Sequence, residues 1–202
     1  MKRCRKRGND ITTFEYITAL VSVVVGLAIA DMATSLHRLL SNRKRVRWDW
    51  VAPLAALVIL IELFNLWWSW RNFSGNSLAD LAPYFVVLVL LFLAAATTLP
   101  DEVPEQGVDL GAYFDEKRGY FWTLYGIYIT IWIGMWTIGD IRKGLTFGEL
   151  LREYYFDYPW ILVCFGMVFV RRRWISGVFL LITIFWVLYG FGWWSKPLTG
   201  SA

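Results

Sequence analysis

The chain has 202 residues, enough for one domain of ordinary size, and 57% of them are hydrophobic, with 13 Trp, 10 Tyr and 14 Phe among them. Charged residues make up 18% and the mean hydropathy is +0.47; a soluble domain averages about 45–50% apolar and about 25% charged residues. One soluble core of this size cannot bury that excess, which argues against a disordered chain, a disulfide-stapled secreted module and a soluble enzyme, and for a membrane protein. The net charge of +4 is segregated, with bases at 2–7, 38–47 and 171–173 and acids at 101–116. Between apolar stretches, such bases point to anionic lipid headgroups and to topology, not to nucleic acid.

A membrane-crossing helix needs about 20 mostly apolar residues, and the chain offers six candidates, at about 12–36, 50–70, 79–99, 119–139, 157–170 and 174–194. The expected architecture is therefore an all-α, polytopic transmembrane bundle between a basic tail at 1–11 and a C-terminal tail at 195–202. The first candidate starts after Asn9 and Asp10, which can cap it. Its basic start and the Ala28-Ile29-Ala30 triplet imitate a signal peptide, but Glu15 and the apolar run through Leu36 favour a retained anchoring helix. Trp50 and Trp68 bracket the second span at a separation of about 27 Å, and Trp174 and Trp193 bracket the sixth at about 28 Å. Both match the hydrocarbon thickness of a bilayer, so most tryptophans read as interface anchors. Trp132 and Trp186 lie deeper and are expected between helices.

Pro100 stops the third span and opens the longest polar loop, to Arg118. Thr146 and Glu149 form a capping-box pattern ahead of Leu150, Leu151, Tyr154 and Tyr155, which predicts a short amphipathic helix in the membrane interface. The fifth span is short, ends at Arg171-Arg172-Arg173, and either crosses with help from 154–158 or is re-entrant. With six crossings each side collects ten Lys and Arg, so the positive-inside rule returns a tie, and dual topology stays open; without the tail the arginine loops would face the cytoplasm.

Charges inside the slab are expensive, about 2.5–3.5 kcal/mol each on insertion scales. Glu62 is foremost, near the middle of the second span with Asn65 one turn further on the same face. It reads either as a proton- or cation-binding carboxyl facing a polar cavity, or as a protonated acid that glues helices together. Asp31 has Ser35 and Arg38 on its own helix face, and an ion pair with Arg38 is the simpler expectation. Glu15, Asp80 and Asp140 fall near helix ends, and with Glu62 they could line a path inward. The candidate ion or proton path thus comprises Glu62, Asn65, Asp31 and Glu15. His37, the single histidine, reads as an interface residue.

Two small-residue stripes, Ser22/Gly26/Ala30 and Gly126/Thr130/Gly134, predict close helix packing. Arg43, Lys44, Arg45, Arg47, Arg171, Arg172 and Arg173 are expected to hold anionic headgroups. A homo-oligomer is a further expectation, and a nucleic-acid partner is not. Cys4 and Cys164 lie too far apart in character for a disulfide, and no metal-ligand spacing, catalytic motif or phosphate loop occurs, so neither a cofactor nor enzyme activity is expected. The leading reading is a small channel or transporter for protons or cations; the alternative is a membrane scaffold or sensor subunit that binds a partner protein or anionic lipid.

The opening Phe14-Glu15-Tyr16-Ile17 and the helix that follows, the basic Arg45-Val46-Arg47-Trp48 linker and the Trp-rich stretch at 63–70 resemble a family of uncharacterised bacterial integral membrane proteins. The resemblance covers roughly the first 75 residues; the extension at 1–10 departs from it. It implies a bacterial inner-membrane location and no particular activity.

Overall fold

The computed structural model describes residues 13–69 and 78–190, without the side chains of 13–17, 78, 189 and 190. Within them the chain is all-helical apart from two two-residue strands, in the order α1 Thr13–Ser41, β1 Val46–Arg47, α2 Val51–Ser69, α3 Leu78–Ala96, β2 Val108–Asp109, α4 Leu110–Arg142, α5 Phe147–Glu153, α6 Asp157–Gly166 and α7 Arg173–Gly190. Four helices are long and apolar enough to cross a membrane: α1 over Thr18–Ser41, α2, α3 over Ala79–Ala96, and α4. The described apolar part of α7, Arg173–Leu188, is shorter.

The long helices each bury a stripe. On α1 the buried positions are Val21, Val25, Ala28, Met32, Ser35 and Leu39, a three-and-four spacing that makes one continuous seam. Chain direction alternates along the bundle. Ser35 donates to the Asp101 carboxylate at 3.3 Å and Arg38 to the Asp101 carbonyl, which ties the end of α1 to the loop after α3. At the opposite end Arg142 of α4 lies 4.0 Å from Asp80 of α3. The pairs α3/α4, α2/α7, α1/α3 and α4/α6 make the most extensive contacts.

Three boundaries differ from the sequence expectation. The third helix stops at Ala96 rather than Leu99, because the Thr97 and Thr98 hydroxyls take the Ala94 and Ala95 carbonyls that another turn would have used. The fourth begins nine residues earlier than its apolar segment, at Leu110. Asp109 caps it by accepting from the Ala112 amide at 3.0 Å, and polar residues such as Glu116, Lys117 and Arg118 are good helix formers despite their charge. That amide, with Arg47 and Arg173 nearby, holds the Asp109 carboxyl below the usual carboxylate range. The fifth segment is helical only over Asp157–Gly166 and then turns. Tyr154, just before it, bonds Asp140, and Arg173, just after it, bonds Asp115; those acids are 25 residues apart on α4, about 37 Å.

The expected capping box is present in α5, where the Glu149 carboxylate accepts from both the amide and the hydroxyl of Thr146, at 2.8 and 2.7 Å. These two bonds hold the Glu149 carboxyl below its ordinary range.

β1 and β2 pair in parallel, Val46 with Val108 and Arg47 with Asp109, and so clip the α1–α2 loop to the α3–α4 loop. Gly107 makes that clip possible. Its φ is +88°, and a Cβ there would drive into the Arg45 carbonyl oxygen. Gly107→Ala is expected to cost about 1–2 kcal/mol locally. The check is limited proteolysis, with faster cleavage between residues 42 and 50 and unchanged helical content.

Candidate functional site

Glu62 sits eleven residues into α2, on the helix face whose Ala55, Val58, Ile59, Leu63 and Leu66 are also buried in the bundle. The residue is 2% exposed. Its two oxygens are both taken: Oε1 accepts from the Tyr125 hydroxyl at 3.0 Å, and Oε2 from the Tyr128 hydroxyl at 2.8 Å and the Asn65 amide at 3.4 Å. Tyr125 and Tyr128 are themselves buried, and their i, i+3 spacing on α4 turns both toward α2. The Tyr–Glu distances are those of ordinary O–H···O hydrogen bonds.

The carboxyl lines a cleft of about 240 Å³ between α2, α4, α6 and α7. Asp157, at the start of α6, also lines it. No Lys, Arg or His is among the lining residues. The buried carboxyl thus has three neutral hydrogen-bond donors and no counter-cation among the residues that line the cleft.

An aromatic file along α4 leads away from this point. Phe121 stacks on Tyr125, with 6.1 Å between ring centroids, and Tyr125 contacts Tyr128 at 5.6 Å; Tyr128 stacks on Trp132 at 6.3 Å. Trp132 and Trp186, expected between helices, both line the cleft. Trp122, one turn before Tyr125 on α4, is fully buried against Phe121, Tyr125 and Phe179.

Of the four residues assigned to a path, Glu62 and Asn65 come together and Asp31 does not join them. Asp31 is exposed on the outward face of α1. Its expected pair with Arg38 is not made, and both Arg38 and Ser35 turn to Asp101, because the loop after α3 brings a carbonyl and a carboxylate closer than one helix face can. The Glu15 side chain lies outside the described residues. Asp140 is held at the far end by Lys143 and Tyr154, both at 2.7 Å, and Asp80 lies there beside Arg142, so neither lines the cleft. Tyr125, Tyr128 and Asp157 went unread in the sequence. The first two carried a usable signal: a tyrosine buried in a span needs an acceptor, and Glu62 is an acid in need of donors.

The packing stripes divide. Gly126 is buried, and a Cβ there would press on the Phe165 ring of α6 at 3.0 Å. Thr130 spends its hydroxyl on the Gly126 carbonyl at 2.7 Å, and Gly134 has nothing within 4 Å of an added Cβ. Ser22, Gly26 and Ala30 all face outward, correcting their expected role in packing within the bundle: the buried seam of α1 is rotated away from them. The Ser22 hydroxyl accepts from the Trp67 indole at 3.1 Å.

The basic residues divide too. Arg43, Lys44, Arg45, Arg171 and Arg172 are exposed. Arg173 is half-exposed and donates to Asp115 at 2.6 Å with Asp49 at 4.0 Å, and Arg47 lies 3.4 Å from Asp109, so these two brace loops. His37 is exposed, 3.4 Å from the Ser41 hydroxyl. Cys164 is a buried free thiol, and Cys4 lies outside the described residues. Among the described residues no three His, Cys, Asp or Glu side chains gather as a metal site would require.

No known protein family, curated protein or solved structure matches the chain.

Proposed function

We propose that the protein is a small channel or transporter for protons or cations, with Glu62 as the exchanging carboxyl. The observation that carries this reading is the placement of Glu62: buried, held by three neutral donors, and lining a cleft that contains no positive side chain. A purely structural acid could close the same bonds without a cleft beside it. Acids inside membrane spans serve ion and proton pathways often enough for this to be the first reading.

The reading includes six crossings, with α6 and the turn to Val170 as the fifth. It is supported by the course of the chain from the level of Asp140 to that of Asp115. The short α5 then lies along the interface, with Phe147, Leu151 and Tyr155 exposed toward lipid and Leu150 buried. A multi-pass location in a bacterial inner membrane accords with the resemblance of the first 75 residues. The exposed Arg43, Lys44, Arg45, Arg171 and Arg172 would meet anionic headgroups.

The scaffold or sensor alternative is favoured by one feature. Ser22, Gly26 and Ala30 form an outward small-residue face on α1, beside the exposed Asp31, suited to another helix from a second copy or a partner.

The test is flux in proteoliposomes. The wild-type protein should dissipate a pH gradient above the rate of empty vesicles, and Glu62→Gln, nearly the same shape, should return that rate to background while reconstituting normally. Equal flux in the two proteins, or none above empty vesicles in either, defeats the proposal.

A further inference from the structure

Four tryptophans line the Glu62 cleft. Trp132 and Trp136 come from α4, Trp160 from α6 and Trp186 from α7, so three helices each turn an indole into one space. The cage is braced from behind: Trp160 stacks on Phe179 with 4.5 Å between ring centroids, Trp132 stacks on Tyr128, and Trp186 meets Phe156 edge-on at 5.6 Å. Glu62 on α2 and Asp157 on α6 supply the acidic groups, with no base among the lining residues. Resting on the reading of Glu62 as a cation-exchanging carboxyl, we infer that this cleft binds a monovalent organic cation with apolar substituents, a quaternary ammonium or an alkylated amine.

Three features select that chemistry over others. Small hard cations need several oxygen ligands to replace their water, but the Glu62 oxygens already accept three hydrogen bonds and the remaining walls are largely aromatic. A diffuse ammonium charge needs no inner-sphere ligands; it is satisfied by ring faces and a nearby carboxylate. Anions are repelled by Glu62 and Asp157. The volume of about 240 Å³ equals roughly eight waters at about 30 Å³ each, room for a central nitrogen with short alkyl arms.

The test titrates tetraethylammonium into the purified full chain in mild detergent, followed by calorimetry and indole fluorescence, with the uncharged triethylcarbinol as comparator. Saturable binding of the cation, with none of the neutral probe, is expected. Glu62→Gln should weaken it at least about tenfold, and Trp136→Leu and Trp186→Leu each by about 2- to 30-fold. Trp136→Phe and Trp186→Phe keep a ring face and should retain most of the affinity, which separates loss of the cage from loss of the fold. Equal affinity for the two probes, or cation binding indifferent to Glu62→Gln, overturns the inference. Proton flux measured on the same preparation tells its failure from that of the proposed function. Glu62-dependent flux without tetraethylammonium binding overturns the organic-cation site and leaves the conductor standing. Glu62-dependent binding without proton flux supports the site and overturns proton conduction.

Discussion

The double variant Tyr125→Phe/Tyr128→Phe is expected to lose about 2–6 kcal/mol of bundle stability, at about 1–3 kcal/mol for each buried hydrogen bond left unmade at the carboxyl. Both hydroxyls end on Glu62 and both tyrosines are buried, so each phenylalanine leaves a carboxyl oxygen without its protein donor. The rings remain, and with them the stacking on Phe121 and Trp132. The loss therefore reports the hydrogen bonds and not a cavity. Thermal or denaturant unfolding in detergent measures it. A decisive comparison is the same pair of changes in a Glu62→Leu background, where they should be nearly neutral, because an apolar partner leaves nothing unsatisfied. Equal destabilisation in both backgrounds would show that the tyrosines stabilise the bundle through something other than the carboxyl.

Trp122→Ala should destabilise the protein by about 3–5 kcal/mol, the range for removing a large aromatic from a packed core. Trp122 is fully buried, and its ring meets Phe121, Tyr125 and Phe179, so it joins α4 to α7 behind the Glu62 cleft. Its indole nitrogen has no hydrogen-bond partner, so the loss is one of packing alone. Trp122→Phe should recover most of the stability, since the edge-on ring contacts survive. The same unfolding assay decides. A change below about 1 kcal/mol for the alanine variant would mean that neighbouring side chains close the space.

The segregation of apolar and charged residues along the chain was enough to place the helices, because a run of apolar residues has no stable alternative to a buried or lipid-facing helix. It also singled out Glu62, since the same composition makes one mid-span carboxyl costly wherever the helix turns. Hydropathy misjudged the start of α4, where Asp109 and helix-forming charged residues carry the helix outside the apolar segment. Helix rotation was beyond its reach. Small-residue spacing looks the same whether a stripe faces a neighbour, as Gly126 does, or faces outward, as Gly26 does.

What the sequence by itself determined is the helical, membrane-compatible class and the identity of the expensive acid, both consequences of local transfer free energies. Only the tertiary structure decided that acid's partners. Tyr125 and Tyr128 lie more than sixty residues from Glu62 in the chain, and Asp31 and Arg38, neighbours on one helix, part because Asp101 arrives from another element. A side chain's partners follow from how helices rotate and pack against one another, which no single segment encodes, and the tryptophan-lined cleft exists only where four helices meet.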